Sequence, residues 1–236
     1  GVAAALTRAF AGRGPLIVLD LGAGTGNDMA ATAPLLPGPQ HWRLADSDPS
    51  LLARAGAPPG VSFETVEADL AAGLAPLLDP APALVAASAL FDLVGAAWLD
   101  RFVAALAGRR LPLLAVLSYT GRESWAPAHP EDDAVLAAFH ADQRRDKGLG
   151  PGLGPEAHAC LAGALRAAGF AVTEGPSDWT LEAPRDAALI AALAEGTARA
   201  VAPAIGAERA EAWRAARMQA RRVTVSHADL LALPPA

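Results

Sequence analysis

Three acidic residues each follow a short apolar run, and each stands where it could meet a ligand. Asp20 ends Leu16-Ile17-Val18-Leu19, and Gly22, Gly24 and Gly26 follow in Leu21-Gly22-Ala23-Gly24-Thr25-Gly26-Asn27. Glycines let the chain turn sharply and let a ligand approach where a Cβ would block it. A glycine loop between strand and helix lies at the edge where open α/β sheets bind ligands. Its spacing restricts the choice. A dinucleotide fingerprint, G-x-G-x-x-G, would place its third glycine at residue 27, which is Asn27. A phosphate loop would need Lys after Gly26, and none is there. Asp20 would also repel a pyrophosphate, whereas it suits a cation such as an amino group.

Asp46 closes the second run, His41–Ala45. A carboxylate at the end of the second strand can accept hydrogen bonds from both hydroxyls of a ribose. Asp48 competes for that role, but Asp48-Pro49 is a ready-made helix start, with Asp as N-cap and Pro at the first helical position. Asp46 is therefore the better ribose ligand, with Ser47 beside it. Asp69, followed by Leu70, ends the third run, and a helix N-cap is the competing account of it. After a fourth run, Ser88 and Leu90 can line a pocket by position, while Asp92 can face a substrate or cap the next helix.

Asp20 with Gly22, Gly24 and Gly26 resembles the first motif of the class I S-adenosylmethionine (SAM) dependent methyltransferases, a strand ending in an acid and then G-x-G-x-G. Asp46 with Asp48-Pro49 is similar to their second motif. The resemblance spans roughly residues 10–181. It implies that Asp20, Gly22, Ala23, Gly24, Gly26 and Asn27 hold the methionine and ribose portions of SAM as cofactor, and that Asp46 and Ser47 hold the ribose. It implies further that Asp69 takes the adenine amine, the Leu70 N–H takes a ring nitrogen, and Ser88 lines the pocket. One departure is clear: Pro82-Ala83 stand where the family often has an Asp opening the fourth strand. An Asp-Pro-Pro-Tyr type of motif is absent. The implied fold is α/β and Rossmann-like, a seven-stranded, mostly parallel sheet with strand seven antiparallel and helices on both faces. The implied reaction is methyl transfer to a small molecule.

Methyl transfer from a sulfonium is an in-line displacement, so alignment does much of the work, and a base is needed only when the nucleophile must lose a proton. Segments over the sheet's C-terminal edge supply Tyr119, Trp125, His129 and a helix expected over Asp132–Lys147. In it, His140, Gln143, Arg144 and Lys147 are spaced i, i+3, i+4, i+7 and share one face. The expected catalytic set is His140, Tyr119 and Asp92. Trp125, Gln143, Arg144 and Lys147 are the expected acceptor contacts, and such a stripe suits an anionic small molecule. A solvated cationic helix end is the competing account of the stripe. Rival functions are a SAM-binding protein without turnover and another SAM-fold transferase such as an aminopropyltransferase, whose polyamine substrate the basic stripe does not suit.

The elements that must position these residues read as β runs alternating with Ala-rich helices, the pattern of a parallel sheet covered on both faces. Strands are expected at Leu16–Asp20, His41–Ala45, Val61–Glu67, Ala83–Ser88, Leu113–Ser118, Phe170–Glu174 and Trp179–Leu181. Helices are expected at Trp98–Ala107 and at Glu156–Ala168, the latter stopped by Gly169 in the left-handed conformation. Residues 119–155 form a long excursion expected to act as a lid. Residues 185–236 are expected to form a C-terminal helical extension, two helices at Arg185–Ala200 and Ala207–Arg222 and then a short tail. The whole is expected to be one domain over residues 1–236. With 53% apolar and 19% charged residues the chain is a folded globular protein. A net charge of −6 without a basic stripe disfavours nucleic acid. A membrane span is not expected, nor a secretory signal, since Arg8 and Arg13 interrupt the first apolar stretch. Cys160 is the only cysteine, which points to a reducing, cytoplasmic setting, and no metal-binding spacing occurs. A monomer or homodimer is expected. The chain opens on Gly1 rather than Met, which leaves room for residues upstream.

Overall fold

The computed structural model describes residues 1–235. Its sheet contains β1 (Leu16–Leu21), β2 (Gln40–Asp46), β3 (Val61–Glu67), β4 (Leu84–Ser88), β5 (Leu113–Ala126), β6 (Ala171–Pro176), β7 (Trp179–Glu182) and β8 (Arg222–Leu233). The spatial order is β3-β2-β1-β4-β5-β8-β6, and β7 pairs with β8 beside this path. Strands β1 to β5 pair in parallel, while β8 runs antiparallel to both β5 and β6. This is the expected class I architecture with one change of identity. Trp179–Leu181, expected to be the antiparallel strand, is a short accessory pair, and Arg222–Leu233, expected to be a tail, takes that place.

Side chains alternate across the sheet, as a two-residue period requires. Leu19, Leu21, Val85 and Ala87 face one side and pack on Trp98, Phe102 and Leu106 of α4 (Ala96–Arg109) and on Leu161 and Leu165 of α6 (Ala157–Ala167). Val18, Trp42, Leu44 and Ala86 face the other side. They meet Leu6 and Phe10 of α1 (Val2–Phe10), Met29 of α2 (Asn27–Thr32) and Leu52 of α3 (Pro49–Leu52). The helix start predicted at Asp48 is present, since its Oδ1 accepts from Ser50 N at 2.8 Å. Gly169 closes α6 at φ +87°, the expected left-handed stop.

A third apolar cluster lies beyond the sheet's C-terminal edge. It joins Tyr119 and Trp125 of β5, Val223 and Val225 of β8, and Val135 of α5 (Asp132–Gln143). It also takes Ile190, Ala194 and Val201 of α7 (Ala187–Ile205) and Trp213 of α8 (Ala207–Arg217). Here β5 runs to Ala126 rather than stopping at Ser118, so the first part of the expected lid is strand. Helix α5 ends at Gln143, four residues short of expectation, which leaves Arg144 and Lys147 beyond its end. Helix α7 is long and apolar enough to cross a membrane by length and composition. It instead lays one face into this cluster and pairs Arg199 with Glu195 at 2.9 Å.

Candidate functional site

Strand β1 lies between β2 and β4, so the loops after β1 and β4 diverge and leave a crevice, the usual ligand position in open sheets. A cavity of about 340 Å³ opens there, lined by Gly22, Asp46, Ser47, Asp69, Leu70, Ser88 and Leu90 among others. A shallower hollow beside it is bounded by Gly22, Ala23, Gly24, Asn27, Asp28 and Ser88. The two together gather residues expected from four separate strand ends. Gly22, Gly24 and Gly26 have φ of +67°, +53° and +81°, which a side chain would strain. At Gly26 a Cβ would also lie 3.3 Å from Leu44 Cδ1 and Met29 Cε.

Asp46 ties the loop to its strand: Oδ2 accepts from Gly24 N at 2.8 Å and Oδ1 from Asp48 N at 2.9 Å. Each oxygen retains a lone pair for the cavity. Asp69 lines the cavity, and its Oδ1 accepts from Ala71 N at 2.8 Å in a turn, with no helix following for it to cap. Asp20 is fully buried beneath the loop, and neither of its oxygens has a hydrogen-bond partner. Burial, reinforced by the charges of Asp28 and Asp46, pushes its carboxyl well above the usual carboxylate range.

Asp28 is the residue that sequence reasoning missed. It is buried, Oδ1 accepts from Thr32 Oγ1 at 2.8 Å, and Oδ2 has no partner. Burial raises its pKa to about 6, with a smaller contribution from Asp229. An acid in the first turn of a helix normally offsets the dipole at the surface, and that ordinary account concealed it. Its setting two residues past the last glycine and directly before Met29-Ala30 was the available clue.

The expected catalytic residues fall into two linked groups away from the cavity wall. Asp92 sits on a single 3-10 turn, Phe91–Leu93, whose flanking Leu90 and Leu93 line the cavity. Its Oδ2 accepts a long bond from Gln143 Nε2 at 3.4 Å, its Oδ1 has no partner, and burial raises its pKa. Tyr119 follows a bulge in β5 at which Leu117 has φ +54° and donates its N–H to Asp229 Oδ1 at 2.9 Å. The Tyr119 hydroxyl lies 3.0 Å from His140 Nε2 and 3.2 Å from Glu123 Oε1. Burial pushes the Tyr119 hydroxyl far up, so it stays protonated, and lowers the pKa of His140, so its ring is neutral near pH 7.

The cationic stripe is divided. Arg144 is paired with Glu156 at 3.0 Å and Lys147 with Asp142 at 3.1 Å. Gln143 is buried against Asp92, and Lys147 alone lines the cofactor cavity, beside Gly148 and Leu149. An anionic acceptor thus loses the free cations it was inferred from. Trp125 lies in the third apolar cluster and lines neither hollow at the glycine loop. No group of three potential metal ligands occurs among the described residues.

The fold has relatives among solved structures. A cyclopropane-fatty-acyl-phospholipid synthase-like protein from Lactobacillus casei superimposes with TM-score 0.59 at 15% identity, over 97% of this chain and 88% of that one. A candidate methyltransferase from Bacillus halodurans gives TM-score 0.57 at 16% identity over 99% of each chain. A mycolic acid cyclopropane synthase solved with S-adenosylhomocysteine (SAH) gives TM-score 0.51 at 16% identity, over 95% and 81%. No family model and no curated protein matches the sequence. At these identities the likeness is one of fold: the chain has the class I methyltransferase architecture from end to end, C-terminal strand included.

Proposed function

We propose that the protein is an enzyme that transfers the methyl group of SAM to a small-molecule acceptor. The observation that carries this reading is the convergence of Asp46, Asp69 and the Gly22–Asn27 loop on one crevice, above a buried Asp20 whose two oxygens have no partner. A fully buried carboxyl without donors is costly, and the ammonium of a methionine moiety held by the loop above Asp20 would offset that cost. The structurally related synthase that holds SAH supports the same cofactor.

When bound, SAM supplies an electrophilic methyl on a sulfonium; the chain supplies placement and proton handling. Asp46 and Ser47 hold the ribose, Asp69 and Leu70 hold the adenine, and Gly22 to Asn27 cradle the remainder. Leu90 and Leu93 wall off water. With the Tyr119 hydroxyl donating to Glu123, its oxygen accepts from Nε2–H of neutral His140 and steadies the ring, which leaves Nδ1 as the atom able to take a proton from an acceptor. Asp92, with its unpaired oxygen, is the second candidate for that proton. The cytoplasm is the compartment that this reading favours.

Calorimetric titration with SAM tests the cofactor site. Asp46→Ala removes two charge-assisted acceptors and should weaken binding by about 2–4 kcal/mol. A wild-type chain that does not bind SAM overturns the reading. Binding without SAH release from any acceptor tried would favour the alternative of a SAM-binding protein without turnover.

A further inference from the structure

A second cavity, of about 350 Å³, lies outside the cofactor crevice, between β5, α5 and the two C-terminal helices. Its walls are aromatic and apolar: Trp125, Trp213 and Phe139, with Val135 and Leu136 of α5. Trp125 and Trp213 meet edge to face, with ring centroids 5.4 Å apart and planes at 78°. Its polar lining holds three acids, Glu123, Asp132 and Asp133, beside Ser124, His129 and Thr197. Asp132 is already satisfied, because Oδ1 accepts from Trp213 Nε1 and Oδ2 from His129 N, with Arg217 3.7 Å away. Arg217 also covers part of the Trp125 ring at 5.9 Å and donates to Pro127 O.

Glu123 is different. It lines the cavity, is half-buried, and pairs with no lysine or arginine among the described residues. The Tyr119 hydroxyl, at 3.2 Å from Oε1, donates to it, and the Trp125 indole is a second donor beside it. Burial raises its pKa, as expected of a carboxylate set in an apolar wall without a counter-charge. Asp133, at the exposed rim, likewise has no cationic partner. A cavity with indole walls and an uncompensated carboxylate is complementary to a cation on an apolar body: the ring faces attract the charge, and the carboxylate fixes its place.

We infer that this second cavity is the acceptor-recognition site and that the acceptor carries an amine or other cationic nitrogen on an aromatic or apolar body, seated at Glu123 beside the Trp125–Trp213 pair. The inference rests on the methyltransferase reading for the word acceptor. The link between cavities is covalent and hydrogen-bonded. Helix α5 lines the recognition cavity with its first half, and the segment after its C-terminus lines the cofactor crevice. Tyr119 joins Glu123 to His140 on that helix. Cationic selection also agrees with the pairing of Arg144 and Lys147, which leaves neither free beyond the end of α5 to hold an anion.

Three probes of nearly equal size separate the possibilities: phenethylamine, neutral 2-phenylethanol and anionic 3-phenylpropionate, each titrated into the full chain by tryptophan fluorescence. Phenethylamine should bind at least tenfold more tightly than either of the others. Glu123→Gln, checked by its thermal midpoint, should erase that preference. Should Glu123→Gln not fold, Asp133→Asn at the exposed rim should still weaken phenethylamine two- to threefold. Equal binding of the three, preference for the anion, no fluorescence response at millimolar probe, or preference that survives in the folded Glu123→Gln chain would each overturn the inference. A parallel SAM titration keeps the two claims apart. SAM binding without amine preference sinks only this one, while amine preference without SAM binding sinks the methyltransferase reading and leaves a cation-selective cavity.

Discussion

Asp20, Asp28 and Asp46 bring three carboxylates together around one glycine loop, and no lysine or arginine forms an ion pair with any of them among the described residues. The unliganded fold therefore bears their repulsion. For Asp28 the folded pKa is raised from 3.8 to about 6, chiefly by burial. A raised acid pKa means that folding favours the protonated form, so the associated stability is complete below about pH 4 and is lost as pH rises through about 6. Asp28→Asn removes the charge while keeping an acceptor for Thr32. At pH 7.5 it should unfold later than wild type, by up to about 3 kcal/mol for a shift of this size. At pH 4 the advantage should vanish. The same variant should bind SAM more weakly, because the charge that burdens the apo protein attracts the ligand's cation. Denaturant melts at the two pH values give the answer, and equal stability at pH 7.5 would refute it. At this scale the sequence was most legible where side-chain type and backbone geometry agree, as at Gly22, Gly24, Gly26 and Asp46. It was silent on Asp28, whose burial depends on how α2 sits against β4.

The segment between β5 and α6 shows what an element's pattern does and does not reveal. Its helix was readable from Val135, Leu136 and Phe139, but its end was not, since Arg144, Arg145 and Lys147 are good helix formers. What stops it is tertiary. Residues 146–153 are stitched onto the turn before α4, with Gly95 N donating to Leu149 O at 2.9 Å and Leu153 N to Val94 O at 2.8 Å. Gly152 is the tightest point: a Cβ there would lie 2.4 Å from Gln143 O and 3.1 Å from Asp92 O. Both contacts are backbone and cannot swing aside. Gly152→Ala should therefore lift this segment, at a cost of about 1–3 kcal/mol in stability, typical of overpacking. Because Lys147, Gly148 and Leu149 wall the crevice, SAM affinity should fall with it. Gly163→Ala, where nothing lies within 4 Å of the new Cβ, is the matched control. Hydrogen exchange at Gly95 and Leu153 reads the lifting directly, and unchanged protection there would show that the segment tolerates the methyl group.

Across the whole molecule, the order of strands and the crevice at β1 and β4 followed from short β runs alternating with helices, and the central β1 and β4, covered on both faces, are nearly all apolar. Strand β8 escaped that logic, since its two halves live in different surroundings. Val223 and Val225 pack beneath α7 and α8 in the third cluster, whereas Leu230 and Ala232 fill the main core and Leu231 faces the opposite layer. Ser226, His227 and Asp229 interrupt the run between them. Yet this strand closes the fold. It is the sole partner of β6 and β7 and the second partner of β5 among the described residues. Removing residues 222–236 would expose one long edge of β5, detach β6 and β7, and uncover Val223, Leu230, Leu231 and Ala232, all fully or almost fully buried. Each large side chain is worth about 1.5–3 kcal/mol of burial, and a domain holds only about 5–15 kcal/mol in total. A chain ending at Arg221 should keep much of its helical circular dichroism but melt without a cooperative transition, and it should bind no SAM, although every residue of the cofactor crevice remains. A cooperative melt in that truncated chain would mean that β1 to β5 fold as a unit without their antiparallel neighbour.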